Sequence, residues 1–333
     1  MNLLIKHSKS TLLIILLLVS ACIAWANTDP LIEKTKSYSK SYNITNKDKI
    51  NIENSFGEMK LITWAKNEIK VDVTITAKGG TEERAQQILD HISIEDSKNG
   101  SGVFFKTKMD ENKKNWNKGD KGYKDEGMHI DYAVYLPASN PLDVQNSFGP
   151  MIVPDYNGEA SISSKFGSLT AGKITNAKLI SVEFGHAEIE SIDNGKLSIQ
   201  FSRATVNKIS GSVKAEFQHS SGIKLIVDNG IRELTINNSF STLYLDVNKN
   251  LAASFDLYTN FGSITNKTDF GIAEEKNSDE GHGPKFDHRY SGKVGNGNAV
   301  IKLKSEFGNT IVGHDLEMKA EEKSKAKGKT RAV

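Results

Sequence analysis

Apolar and polar residues alternate with a period of two through most of the chain. The clearest run is Glu68-Ile69-Lys70-Val71-Asp72-Val73-Thr74-Ile75-Thr76, and the stretches Lys49 to Trp64 and Ile130 to Leu136 read the same way. Such alternation predicts half-buried strands. Gly79-Gly80 ends the second strand. Thr81 then has the chemistry of an N-cap, and Glu82 and Glu83 fall in the first turn. Ala85, Ile88, Leu89 and Ile92 follow at i, i+3, i+4 and i+7, which predicts one helix over about residues 81–92.

Beyond residue 140 no helical spacing occurs, and a repeat takes over. Phe recurs at 148, 166, 184, 201 and 217, then at 240, 261 and 307, often followed by Gly. Phe56-Gly57 belongs to the same set. Around Phe166 the apolar positions are Ile162, Leu169, Ala171 and Ile174; around Phe184 they are Ile180, Ala187, Ile189 and Ile192. The offsets −4, +3, +5 and +8 return around Phe56, Phe148 and Phe201.

A unit of 16–21 residues is too short to bury its own apolar face, so it must stack on its neighbours. Positions −4, −2 and Phe share one parity, and the inward parity shifts by one after Phe, which marks a bend. Gly at +1 suits that bend by its backbone freedom. The predicted fold is all-β: a parallel β-helix, or β-solenoid, of roughly 16–21-residue rungs, with one short α-helix near its N-terminal end. The Phe residues are expected in an internal stack, with Asn54 and Asn146 pairing their amides at the −2 level. An antiparallel sandwich is the alternative; it explains short strands but not the constant offsets. Handedness and the number of faces per rung stay open.

The ends set the address. Lys6 and Lys9 precede the apolar run Leu12 to Val19, and Ala24-Trp25-Ala26 follows. This is the pattern of a secretory signal peptide cleaved after Ala26. Val19-Ser20-Ala21-Cys22 competes as a lipoprotein box, which would lipidate Cys22 and tether the chain to a membrane. The organisation reads as signal peptide 1–26, polar segment 27–48, N-terminal part 49–139, repeats 140–313 with an insertion at about 272–297, and a disordered charged tail 314–333.

Of 333 residues, 43 are Lys or Arg and 41 are Asp or Glu, a net charge of +2. The two ends hold that surplus and residues 27–314 are slightly acidic, which speaks against nucleic acid as a partner. A single Cys excludes a disulfide framework and a cysteine-based metal centre.

Strand, helix, a strand ending in Leu136-Pro137, then repeated Asn-Ser-Phe-Gly rungs resembles a bacterial domain family of unknown function. Its members carry adhesin labels, or are described as auto-transporter adhesin head-like β-solenoids. The likeness covers roughly residues 45–313. It implies an exported β-solenoid with an adhesive role, and it brings no catalytic residues.

Candidate chemistry is thin. Glu274, Glu275, Glu280, His282, Asp287 and His288 share a polar loop, but their spacing matches no zinc motif. Asp110, Glu111, Asp120, Asp125 and Glu126 lack the register of a calcium loop. Lys165, Glu183, Gln200 and Glu216 precede the Phe positions and are expected to stack outward, with Ser168, His186 and Arg203 at +2. A polysaccharide-processing enzyme would use Glu183, His186 and Arg203 as first suspects; a charge-paired ladder on a wet face is the plainer reading. The expectation is therefore an exported, non-enzymatic binding protein of the cell envelope, without cofactor, metal or catalytic residues. Its partner would be a glycan or an envelope protein, with membrane contact only through Cys22. An envelope-stress accessory role is a further alternative.

Overall fold

The computed structural model describes residues 31–110, 126–275 and 286–318. Residues 1–30, with the expected signal peptide and Cys22, the stretch 111–125, residues 276–285 with Glu280 and His282, and residues 319–333 lie outside the described residues. The chain runs β1 (Ile32–Asn43), β2 (Lys49–Ser55), β3 (Met59–Thr63), β4 (Glu68–Gly79), α1 (Glu82–Asp90), β5 (Ile92–Asn99), β6 (Gly102–Met109) and β7 (Gly127–Leu136). Next come β8 (Leu142–Ser147), β9 (Pro150–Val153), β10 (Tyr156–Lys165), β11 (Ser168–Glu183), β12 (His186–Gln200), β13 (Arg203–Gln218), β14 (Ile223–Ser239) and β15 (Thr242–Val247). It closes with β16 (Ala253–Asn260), β17 (Ser263–Asn266), β18 (Ala273–Glu274), β19 (Asp287–Lys293), β20 (Ala299–Glu306) and β21 (Asn309–Gly313). The described strands form one large sheet, and α1 is the one helix among the described residues. It starts where its sequence predicts, with the Thr81 hydroxyl accepting from the Arg84 N–H at 3.1 Å and Ala85, Ile88 and Leu89 buried.

From β2 through β8, β10, β11, β12, β13 and β14 the strands pair in parallel. The −4 residues align as one row: Ile52, Val144, Ile162, Ile180, Leu197, Ala215, Ile236 and Leu303. All are buried, so each rung covers the apolar face of the next. The +5 residues Val153, Ala171, Ile189 and Val206 form a second buried row, which Leu225, at +6 from His219, continues. At the −2 level the interior is polar towards both ends, with Asn54, Asn146 and Ser164 at one and Asn238, Ser305 and Thr259 at the other, and apolar between them. Asn54 Nδ2 donates to Asn146 Oδ1 at 3.1 Å, the amide pairing expected of these two residues. Asn146 Nδ2 also reaches the Gly57 carbonyl at 2.9 Å.

Four features depart from the sequence reading. Phe217 is not a corner residue: it is fully buried in register with Ile199 and Asn238, and His219 occupies the corner. Glu216 consequently pairs with Ser198 and Asn237, and Gln218 takes its place beside Gln200 in the row before the corners. The polar segment 27–48 contains β1, an exposed strand held antiparallel along β4. Finally, spatial order does not follow chain order. β20 lies between β14 and β16, and β21 between β15 and β17, so the last strands of the chain insert as a penultimate rung.

Antiparallel strands close both ends of the parallel body. At one end are the β1–β4–β7 layer and the β5–β6 hairpin; at the other, β19 runs antiparallel on β16. β19 covers the outer edge of β16, while β17 pairs with β21 alone among the described residues. The 272–297 insertion supplies the second cap through β18 and β19.

Candidate functional site

Every corner residue has a left-handed backbone. Phe56, Phe148, Phe166, Phe184, Phe201, His219, Phe240, Phe261 and Phe307 have φ between 48 and 66°. That conformation reverses the direction of the side chain relative to an extended residue, so the rings point out where parity alone points them in. The Phe stack is external, which corrects the expected internal one. Eight phenylalanines of the column are 47–52% exposed.

The rings form one continuous column in the order Phe56, Phe148, Phe166, Phe184, Phe201, His219, Phe240, Phe307, Phe261 and Phe286. Centroid separations are 4.6–5.1 Å, and neighbouring planes from Phe148 to Phe201 lie within 4–5° of parallel. Nine steps at one inter-strand spacing carry the column over about 44 Å. Inner rings are faced on both sides by neighbours, so the column presents ring edges outward.

A non-glycine residue in this backbone region costs about 1–3 kcal/mol and persists only where its surroundings over-determine it. Two contacts do so here. Each corner N–H donates to the next rung, as Phe166 does to the Glu183 carbonyl at 2.9 Å and Phe184 to the Gln200 carbonyl at 3.1 Å. The ring stack supplies the other, worth about 0.5–1.5 kcal/mol per pair.

The glycine after the corner serves a different end from the one its flexibility suggests, since the positive φ belongs to Phe. A Cβ at Gly167 would lie 2.1 Å from the Gly149 carbonyl oxygen, and one at Gly185 2.0 Å from that of Gly167. At these two rungs glycine is there because the neighbouring backbone approaches too closely for a Cβ. Where Ser202, Ser220 and Ser241 stand instead, their hydroxyls enter the ladder. Ser202 Oγ accepts from the Gly185 N–H at 3.0 Å, Ser220 Oγ from the Ser202 N–H at 3.2 Å, and Ser241 Oγ from the Ser220 N–H at 2.9 Å.

The sequence-predicted residues flank this column. Lys165, Glu183 and Gln200 are in register just before the corners, and Lys165 Nζ pairs with Glu183 Oε1 at 3.2 Å. Ser168, His186 and Arg203 are in register just after them. Glu183 and His186 thus lie on strands on either side of the Phe184 corner. The Glu183 carboxylate is committed to Lys165, which fits the charge-paired ladder.

Three of the other described candidates, Glu126, Glu274 and His288, make local contacts. Glu126 accepts from the Gly80 N–H at 2.9 Å and from Arg84 Nε at 3.1 Å, anchoring the start of α1. Glu274 and His288 pair at 2.6 Å, and Arg289 donates twice to Asp256 at 3.0 Å, bracing the terminal cap. Among the described residues no group of three or more His, Cys, Asp or Glu is placed to hold a metal. A cleft of about 610 Å³ near the end of the described chain contains Lys208, Lys224 and Lys249, each already paired with an aspartate. No described helix is long and apolar enough to cross a membrane.

No protein-family model matches the chain. No curated protein matches it either. Among solved structures it is similar to a proposed adhesin from Bacteroides fragilis, at 12% identity over 84% of this chain and 97% of that one, with a TM-score of 0.40. A proposed cell adhesion protein from Clostridium sporogenes matches at 12% identity over 84% and 100%, with a TM-score of 0.28. A proposed lipid-binding protein from Parabacteroides distasonis matches at 12% over 83% and 96%, with a TM-score of 0.33. At these values the likenesses bear no weight for fold or function.

Proposed function

We propose that this chain is a β-solenoid of the adhesin-like kind, exported to the bacterial cell envelope, that binds a partner without catalysis. Its leader would be cleaved after Ala26, with lipidation at Cys22 as the alternative anchor. The observation that supports this reading is the outward aromatic column. Half of a phenylalanine side chain is about 100 Å², so the eight exposed rings present about 800 Å² of apolar surface along one column, interrupted by the exposed ring of His219. The largest apolar patch on a typical monomer is about 300–600 Å², and larger ones mark interaction sites. About 800 Å² is also one partner's share of a standard stable interface.

Ring orientation favours a protein over a glycan. Sugars stack on open aromatic faces, and here inner faces are covered by neighbouring rings. Ring edges in a straight row suit apolar side chains of another protein.

The experiment compares the full chain, purified as processed by the exporting cell, with a Phe166→Asn, Phe184→Asn, Phe201→Asn variant. Asn accepts the left-handed backbone and so adds no strain when the rings go, and circular dichroism checks that the variant is folded before it is screened. Both proteins are screened against envelope proteins and envelope polysaccharides, with product analysis. Binding by the native chain that the folded triple variant loses supports the proposal. Shortened polysaccharide products, or binding indifferent to the rings, overturns it.

A further inference from the structure

Resting on the reading of the column as a contact surface, we propose that its occupant is a second copy of this chain. The two columns dock edge to edge and antiparallel, about a two-fold axis lying between the Phe201 and His219 rungs. Three observations point there. The strip is long, straight and one ring wide, about 44 Å at a 4.9 Å pitch. Only an equally long and straight apolar strip covers it end to end, and a second copy presents one of identical pitch. The apolar area on offer equals one partner's half of a stable interface.

Charge supplies the third observation. In the antiparallel arrangement the row of residues just before the corners faces the same row of the other copy, reversed. Counting rungs outward from the axis, Gln200 meets Gln218, Glu183 meets Ser239, and Lys165 meets Glu306. Each relation occurs twice by symmetry. No acid faces an acid, and the one lysine of these positions faces a glutamate. Within one chain Lys165 pairs with Glu183 at 3.2 Å and Glu306 with Lys304 at 2.8 Å. Lys165 and Glu306 themselves stand five ring steps apart, about 25 Å along the column. They meet only between copies.

Sedimentation velocity on the full processed chain tests this across a concentration series reaching about 100 µM, since interfaces of this size run from micromolar to picomolar. The expected result is a dimer. Phe201→Asn, the ring beside the axis, checked for native circular dichroism, should weaken the dimer. Lys165→Glu should weaken the dimer by about tenfold, and Lys165→Glu with Glu306→Lys should restore it. Because the two sites are too far apart to interact within a chain, rescue reports contact between copies. A chain that stays monomeric throughout, a dimer untouched by the ring substitution, or a charge swap that fails to rescue overturns the inference. A monomeric native chain whose envelope binding still depends on the rings overturns the second copy alone. A monomeric chain whose binding ignores the rings overturns the contact surface as well.

Discussion

Substitution of Phe184 by alanine and by glycine separates two terms that the native residue combines. Its ring stacks at 4.9 Å on both Phe166 and Phe201, and its backbone sits at φ 55°. Either substitution removes two ring pairs, about 1–3 kcal/mol together. Each also removes the buried half of the ring, about 100 Å², or about 2.5 kcal/mol at 25 cal/mol per Å². The expected loss is about 3–5 kcal/mol. Alanine keeps a Cβ in the left-handed region and its strain of about 1 kcal/mol or more, whereas glycine sheds it. Phe184→Gly should therefore be more stable than Phe184→Ala by about 1 kcal/mol, the reverse of their order in ordinary strand interiors. Urea unfolding followed by circular dichroism reads the difference, provided the two variants share one m-value. An alanine variant equal to or better than glycine refutes the strain argument. A loss below about 1 kcal/mol for both refutes the column as a support of the fold.

Gly167→Ala forces a methyl to 2.1 Å from the Gly149 carbonyl oxygen and should lower the melting temperature sharply, by the equivalent of about 3 kcal/mol or more. Gly100→Ala, with open space around it, should not, and thermal unfolding of the pair checks the contrast. Ser220→Ala leaves the buried Ser202 N–H without its acceptor and should cost about 1–3 kcal/mol by the same assay. Asp96 accepts from Tyr38 at 2.7 Å and also from Tyr42. Desolvation opposes its charge, but the two phenol hydrogen bonds outweigh it and hold its carboxyl below the usual range. The stabilisation is therefore present above the ordinary aspartate pKa and is lost as pH falls through the lowered folded value. Protection factors of the amides in 32–43, taken relative to the intrinsic exchange rate at each pH, should fall on acidification, and Asp96→Asn should abolish that pH step. Tyr42 is pushed up to about 12, first by its hydrogen bond to that carboxylate and second by desolvation on burial. The Tyr42 ultraviolet titration should thus move down towards the ordinary tyrosine range in Asp96→Asn, with the desolvation contribution left.

The inward positions were legible because burial at −4, +3 and +5 is a direct consequence of stacking: Ile162, Leu169 and Ala171 are buried as their spacing predicts. The ring direction was not. Phe166 and Ser164 share parity, and only the positive φ at the corner turns one out while the other stays in. Phe217 misled for a related reason: an apolar aromatic sits in an inward slot while His219 takes the corner. The spacing of 18 from Phe201 to His219, with Ser220 following as Ser202 follows Phe201, was the available signal. The inserted rung was hidden because Phe240 and Phe261 look consecutive, yet Phe307 stacks on both. Sequential strands are usually spatial neighbours, and this pair is an exception.

Whether the outward column is the contact surface is tested most directly by 19F NMR of the chain labelled with fluorophenylalanine. In dilute solution a paramagnetic cosolvent should broaden the resonances of the eight exposed column phenylalanines and leave Phe105 and Phe217 sharp. On saturation with the bound partner, or at concentrations where a second copy binds, the column resonances should shift and become protected together. Column resonances already protected in dilute solution, or unmoved while binding proceeds, would contradict the account.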